Sequence, residues 1–362
     1  MKKVAIIGTQ GVPAQYGGFE TLVENLLGKN CPEDVEYTVF CSSRDYKEIR
    51  SEYKEAHLKY VPLRANGTQS IPYDMWSLTK VLGKEYDAVL VLGVSGCTML
   101  PLFRAFYRGR IIVNIDGLEH RRDKWGGFAR WFLRASEAAA VRAADIVVAD
   151  NQGIADYVKE TYGLQPRVIA YGGDHVVRKV DRKQQHRILT DMGLISGKYA
   201  LSVCRIEPEN NCHVTLEAFA RSNRTFVFVG NWERSAYGRE LKVHYADRPN
   251  LICCDPIYDL DVLYALRRHC SLYVHGHSAG GTNPSLVEAM HFGIPVFAFN
   301  VVYNRATTAN RAHYFASAEE LQQLLEFTDA DSLQLNAEAM LELANKEYTW
   351  THIAEQYAAC YE

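Results

Sequence analysis

Three observations predict an α/β fold of two Rossmann-like, doubly wound domains facing a central cleft. Short apolar runs alternate with amphipathic helical stretches along the whole chain, the pattern of a mostly parallel sheet covered by helices on both faces. Two segments, one near each end, read as strand, glycine-rich turn and helix. With 362 residues the chain is long for one core and suits two.

The first strand covers residues 4–7, and GTQGVPAQYGG follows as a glycine-rich loop. Phe19, Leu22, Val23, Leu26 and Leu27 then fall on one face at helical spacing. The next strand, 36–41, ends in Cys-Ser-Ser-Arg without the acidic residue that holds a dinucleotide ribose. That argues against a dehydrogenase, with Arg44 the one candidate clamp for a phosphorylated dinucleotide. Strands follow at 58–62, 88–92, 111–115, 146–149 and 167–170, and helices at 74–83, 99–108, 128–143 and 152–162. Tyr171-Gly172-Gly173 marks a linker. The second set has strands at 199–203, 225–229 and 251–253 and helices at 214–221 and 259–268.

The stretch SLYVHGHSAGGTNPSLVEAMHFGIPVFAFN, 271–300, organises this half. Asn283 is a natural N-cap, Pro284 suits the first helical position, and Gly293 is the expected stop. Amides of 281–285 at that helix tip favour an anion, and Thr282 and Ser285 add hydroxyls. Glu288 stands among apolar neighbours, so its carboxylate needs a partner or an open cleft. The plain alternative is an ordinary capped helix with a surface glutamate. Helices at 318–328 and 331–345 and an amphipathic tail complete the chain. The expected domains are 1–172, 173–344, and a helix at 345–362 that packs back on the first domain.

A formal net charge of −3 argues against a general nucleic-acid binder. Nine scattered cysteines without a CxxC pair read as reduced thiols rather than a disulfide framework or a zinc site. No stretch approaches a membrane-spanning length, and the apolar run at the N-terminus is too short for a signal core. Asp259-Leu260-Asp261 looks like a transferase metal motif, but it sits where a helix begins, so capping is the better reading and no metal is expected.

Four stretches, GTQGVPAQYGGFETLVENL at 8–26, NIDGLEHRRDKWG at 114–126, SVCRIEPENN at 202–211 and GGTNPSLVEAMHFGIPV at 280–296, carry a resemblance over nearly the whole chain. The chain resembles the retaining GT-B glycosyltransferases of family four, in particular bacterial rhamnosyltransferases of capsular or O-antigen polysaccharide. The resemblance implies a nucleotide-diphosphate sugar donor, dTDP-L-rhamnose, bound by the domain 173–344, a lipid-linked saccharide acceptor bound by the domain 1–172, no cofactor, and a cytoplasmic protein peripheral on the inner membrane face. UDP or GDP sugars are the alternative donors.

Residue by residue, Gly17-Gly18 match the glycine pair under the donor diphosphate, and Arg205 matches the arginine that pairs with it. Glu288 matches the glutamate that holds the donor ribose. Asn210 stands where the family has a second cation. Gly280 stands where it has a first glutamate, so amides of Gly281, Thr282 and Asn283 would replace that contact beside Ser285. Asp116 falls where many relatives have a histidine near the reacting sugar and is the site residue expected there. Arg121, Arg122, Lys124, Trp125, Trp131 and Arg134 form a basic aromatic patch suited to the acceptor or an anionic membrane surface, or to a plain solvated helix face, and His120 is a further acceptor contact ranked below Asp116, or a solvated loop residue. Three other readings stay open: a dinucleotide oxidoreductase, a sugar-nucleotide 2-epimerase, and a non-catalytic binding subunit.

Overall fold

The computed structural model describes residues 1–15, 17–115, 117 and 126–362. The chain divides into two compact units, Met1–Tyr171 with Trp350–Glu362, and Gly172–Thr349.

The first unit runs β1 (Lys2–Ile7), α1 (Gly18–Leu26), β2 (Val35–Ser42), β3 (Glu52–Tyr53), β4 (Ala56–Val61), α2 (Ser70–Val81), β5 (Ala88–Leu92), α3 (Leu100–Phe106), β6 (Arg110–Ile115), α4 (Gly127–Ala143), β7 (Ile146–Ala149), α5 (Gln152–Tyr162) and β8 (Arg167–Val168). Its sheet has the order β3-β4-β2-β1-β5-β6-β7-β8. Every pairing is parallel except β3 with β4. Val4, Ala5, Ile6 and Ile7 are fully buried, as are Ala88, Val89 and Leu90. Strands covered on both faces need continuous rather than alternating apolar residues.

The second unit runs α6 (Arg182–Asp191), β9 (Tyr199–Val203), α7 (Cys212–Ala220), β10 (Thr225–Val229), α8 (Ala236–His244), β11 (Leu251–Cys254), α9 (Leu260–His269), β12 (Leu272–His275), α10 (Pro284–Met290), β13 (Val296–Phe299), α11 (Val302–Thr307), β14 (His313–Phe315), α12 (Ala318–Phe327) and α13 (Ala330–Glu347). The sheet order is β11-β10-β9-β12-β13-β14, all parallel. Its core includes Phe219 stacked on Phe226 with ring centroids 4.1 Å apart, and Phe228 edge-on to the buried Trp232.

The last helix, α14 (Trp350–Tyr361), belongs to the first unit. It buries Ile353, Tyr357 and Tyr361; the Tyr357 hydroxyl accepts from Asn114 Nδ2 on β6, and Tyr361 meets Tyr37 on β2 edge-on.

Both sheets reverse strand order at one place, between β1 and β5 and between β9 and β12. Such a switch point leaves a crevice beyond the carboxyl ends of the flanking strands, where ligands of open α/β sheets bind. Gly8 ends β1 at the first one. Its φ is +91°, and a Cβ there would lie 2.0 Å from Leu92 O on β5, so only glycine fits.

Candidate functional site

The second unit's site is built on the β12–α10 connection. Asn283 caps α10: its Oδ1 accepts from Ser285 N at 3.0 Å and from Ser285 Oγ at 2.8 Å. Thr282 is buried, and Gly281 is buried ahead of it. Gly280, with φ +90°, stands where the family places a glutamate.

Glu288 lies within α10, and its carboxylate has a protein partner. Oε2 pairs with the Arg267 guanidinium from α9, and Oε1 lies 3.6 Å from His175 Nε2. The Arg267 side chain is only 3% exposed, that of Glu288 15%. Among the described residues Arg267 Nε is buried without a hydrogen-bond partner. Burial lowers the His175 pKa, against an upward pull from Glu288, so the imidazole is neutral at neutral pH. A cation, a carboxylate and a neutral imidazole thus meet at one point, with the guanidinium buried and the other two groups partly exposed. Neither Arg267 nor His175 was singled out by sequence reasoning; only the charge of Arg267 inside the apolar face of α9 signals it.

Arg205 follows β9 at the switch point. Its side chain is 39% exposed and lies 3.3 Å from Glu207 and 3.5 Å from Glu209. Exposed pairs of this kind hold a guanidinium by at most about 1 kcal/mol, so an anionic ligand displaces them at little cost. Asn210 is 3% exposed. Its Nδ2 donates to Arg205 O at 2.7 Å and its Oδ1 pairs with His277 Nδ1. Those groups are committed to shaping the loop that carries Arg205.

The first unit's glycine-rich loop joins β1 to α1. Gly17 has φ +139°, and a Cβ there would lie 1.8 Å from Glu20 Oε2. Gly18 opens α1 beside the Tyr171 hydroxyl. Two acids on α1 tie the loop down. Glu20 Oε1 accepts from Thr9 Oγ1 at 3.0 Å and Gln10 N at 2.8 Å, and Glu24 Oε2 accepts from Ala14 N at 2.9 Å. Burial raises the Glu24 pKa, but hydrogen bonds from Lys54, Ala14 N and Tyr53 outweigh it and hold the carboxyl below its usual range. Glu20 and Glu24 escaped sequence reasoning, because a glutamate on a helix reads equally well as a solvated one. At the same sheet edge lies a cavity of about 720 Å³ lined in part by Gly8, Phe19, Leu92 and Gly93.

Asp116, His120, Arg121, Arg122, Lys124 and Trp125 lie outside the described residues. Trp131, on α4, is 65% exposed. Asp259 accepts from Asp261 N at 2.8 Å and Val262 N at 3.3 Å, and Asp261 Oδ1 binds Arg178 Nε at 2.9 Å. Both acids of that pair are therefore engaged at the start of α9. Among the described residues no group of three or more His, Cys, Asp or Glu could hold a metal ion. All nine cysteines are free.

Residues 195–347 match the family model described as Glycosyl transferases group 1, and residues 1–174 match a Domain of unknown function (DUF1972). No curated protein matches the sequence. Among solved structures, sucrose-phosphate synthase from Thermosynechococcus elongatus is 15% identical with a TM-score of 0.82, over 100% of this chain and 98% of that one. Anabaena HepE in complex with UDP is 16% identical, TM-score 0.76, over 99% of each chain. The catalytic domain of starch synthase IV from Arabidopsis thaliana, bound to ADP and acarbose, is 13% identical, TM-score 0.74, over 99% of this chain and 98% of that one. At these identities the likeness is one of fold. The two parallel-sheet units are those of the GT-B architecture, and residues 195–347 form a glycosyl transferases group 1 domain.

Proposed function

We propose that the enzyme transfers L-rhamnose from dTDP-L-rhamnose, with retention of anomeric configuration, onto a lipid-linked saccharide in capsule or O-antigen polysaccharide synthesis. The observation that carries this reading is the second switch point, where Arg205 from the end of β9 and the Asn283-capped start of α10 flank one sheet edge inside the matched domain. The rhamnose and the acceptor rest on the resemblance of residues 8–26 and 280–296. The binding of UDP and UDP-glucose by HepE keeps a UDP-hexose as the second reading of the donor.

The chemistry asked of the site is cleavage of the bond between the anomeric carbon and the diphosphate oxygen. Negative charge grows on the leaving diphosphate and positive charge on the sugar. Arg205 and the amides of 281–283 stabilise the diphosphate, and Glu288 accepts from the ribose hydroxyls while Arg267 holds its carboxylate in place. Such preorganised donors are typically worth about 3–4 kcal/mol each. The acceptor oxygen bonds to the anomeric carbon on the face the diphosphate leaves, and its proton passes to the departing phosphate oxygen.

A peripheral membrane position is part of the proposal. Leu102 and Phe106 on α3 and Trp131 on α4 are more than half exposed on two helices that pack together, with Arg130 and Arg134 exposed on α4 and Arg108 exposed just past the end of α3. Apolar groups among cations suit an anionic lipid surface. Among the described residues no helix is long and apolar enough to cross a membrane.

The test is Arg205→Ala. Sugar transfer should fall by about two to three orders of magnitude, while the midpoint of thermal unfolding stays within a degree or two, because only exposed pairs are lost. Unchanged turnover would remove Arg205 from the site. A panel of dTDP, UDP and GDP sugars, scored by thermal stabilisation, identifies the donor.

A further inference from the structure

Two loops meet at the second switch point. One, 204–211, leads from β9 to α7 and carries Arg205; the other, 276–283, leads from β12 to α10. The pairs of Arg205 with Glu207 and Glu209 are open to solvent and fix its side chain weakly. The position of its guanidinium therefore depends on the backbone beneath it. Arg205 O accepts from Asn210 Nδ2 at 2.7 Å and from Glu207 N at 3.0 Å. With Nδ2 of Asn210 donating there, its Oδ1 is the acceptor, so the imidazole of His277 donates to it from Nδ1. His277 is 7% exposed, and its backbone O accepts from Asn304 Nδ2 on α11 at 2.8 Å. A chain of hydrogen bonds thus runs from α11 through His277 and Asn210 to the Arg205 carbonyl.

The two loops are laced on either side of that chain. Asn211 Nδ2 donates to Gly276 O at 2.8 Å, and Ser278 N to Glu209 O at 2.9 Å. A Cβ on Gly276 would lie 2.2 Å from Asn210 O, so the backbones touch and only glycine fits. We propose that Asn210 and His277 are positioning residues: they fix the backbone from which Arg205 reaches the donor diphosphate, and neither touches the ligand. Asn210, at 3% exposure, has no open face to offer a phosphate. The site that resembling transferases furnish with a second cation is here given to holding the first in place, as a supporting shell does for a binding group.

The inference deepens the donor reading and rests on it for the ligand. The experiment is calorimetric titration of the full chain with dTDP and with UDP. Arg205→Ala should weaken the nucleotide that binds by about tenfold or more, the worth of a charge-assisted hydrogen bond. Asn210→Ala should weaken it by about tenfold in the parent, but by less than about twofold in a chain already carrying Arg205→Ala, because its effect passes through the guanidinium. His277→Asn keeps a donor close to the place of Nδ1 and should hold affinity within about threefold, whereas His277→Ala should lose about fivefold or more. Asn210→Lys should also weaken binding, since lysine has donors only and cannot accept from His277. A cation acting on the ligand itself would tighten it. Circular dichroism confirms folding, and the His277 variants carry the test if an Asn210 variant fails to fold. Equal losses from Asn210→Ala with and without Arg205, tighter binding by a folded Asn210→Lys, or equal affinities in His277→Asn and His277→Ala would each overturn this proposal alone. A parent that binds neither nucleotide, or binding indifferent to Arg205→Ala, would defeat the donor reading and this inference with it.

Discussion

Glu288 is the residue on which structure and function compete most directly. Its carboxylate answers the buried Arg267, so removing it strands a guanidinium away from water. Glu288→Ala should therefore cost about 3–5 kcal/mol in denaturant unfolding; a loss below about 1 kcal/mol would show that the pair is not buried as described. Glu288→Gln keeps the shape and an acceptor, so its effect on donor affinity reads the ribose contact with less loss of fold. Asp74 carries a pH signature. Its carboxyl titrates near 3.8 in the unfolded chain and at about 8 in the fold, so unfolding releases a proton between those values. Stability thus falls as pH rises from about 4 to about 8, by up to about 1.4 kcal/mol per unit, and levels off above. Asp74→Asn lacks this titration. Its stability relative to the parent should rise across that window, and parallel pH profiles from chemical denaturation would contradict the assignment. Asn283 and the need of Glu288 for a partner were legible in sequence, because both follow from immediate neighbours. The partner was not, since α9 and the turn at Asp174–Val176 reach Glu288 only through the fold.

At the scale of elements, the caps behave as local rules expect. Asp259 holds two amides at the start of α9, so Asp259→Ala should cost about 1 kcal/mol of stability and leave sugar transfer intact. Transfer lost without loss of stability would point instead to a direct role for Asp259 in the chemistry. Buried strands such as β1, β5, β9 and β10 were legible as short, mostly apolar runs. α6 and α8 were not, because each spreads few apolar residues over a polar segment. Asp181, which accepts from Lys183 N at 2.8 Å, was the available signal for α6. α11 and β14 are short, and nothing local separates them from loop. The sequence also runs the strand at 167 two residues too far, since β8 ends at Val168.

At the scale of the whole molecule, one topology occurs twice, each time with a switch point that sequence alternation implies but cannot locate. The pairing of β1 with β5 and of β9 with β12 is set by long-range contacts, and those pairings position the cavity in one unit and Arg205 in the other. The central claim is that the chain moves a sugar from a nucleotide diphosphate to an acceptor hydroxyl. Its most direct test is incubation of the purified chain with dTDP-L-rhamnose labelled at the anomeric carbon and a lipid-linked saccharide, with and without a chelator, followed by nuclear magnetic resonance of the product. The account predicts free dTDP and a new glycoside of unchanged anomeric configuration, formed equally well with the chelator present. Label that stays on the donor with every nucleotide sugar and acceptor offered, while the donor itself binds, would contradict it.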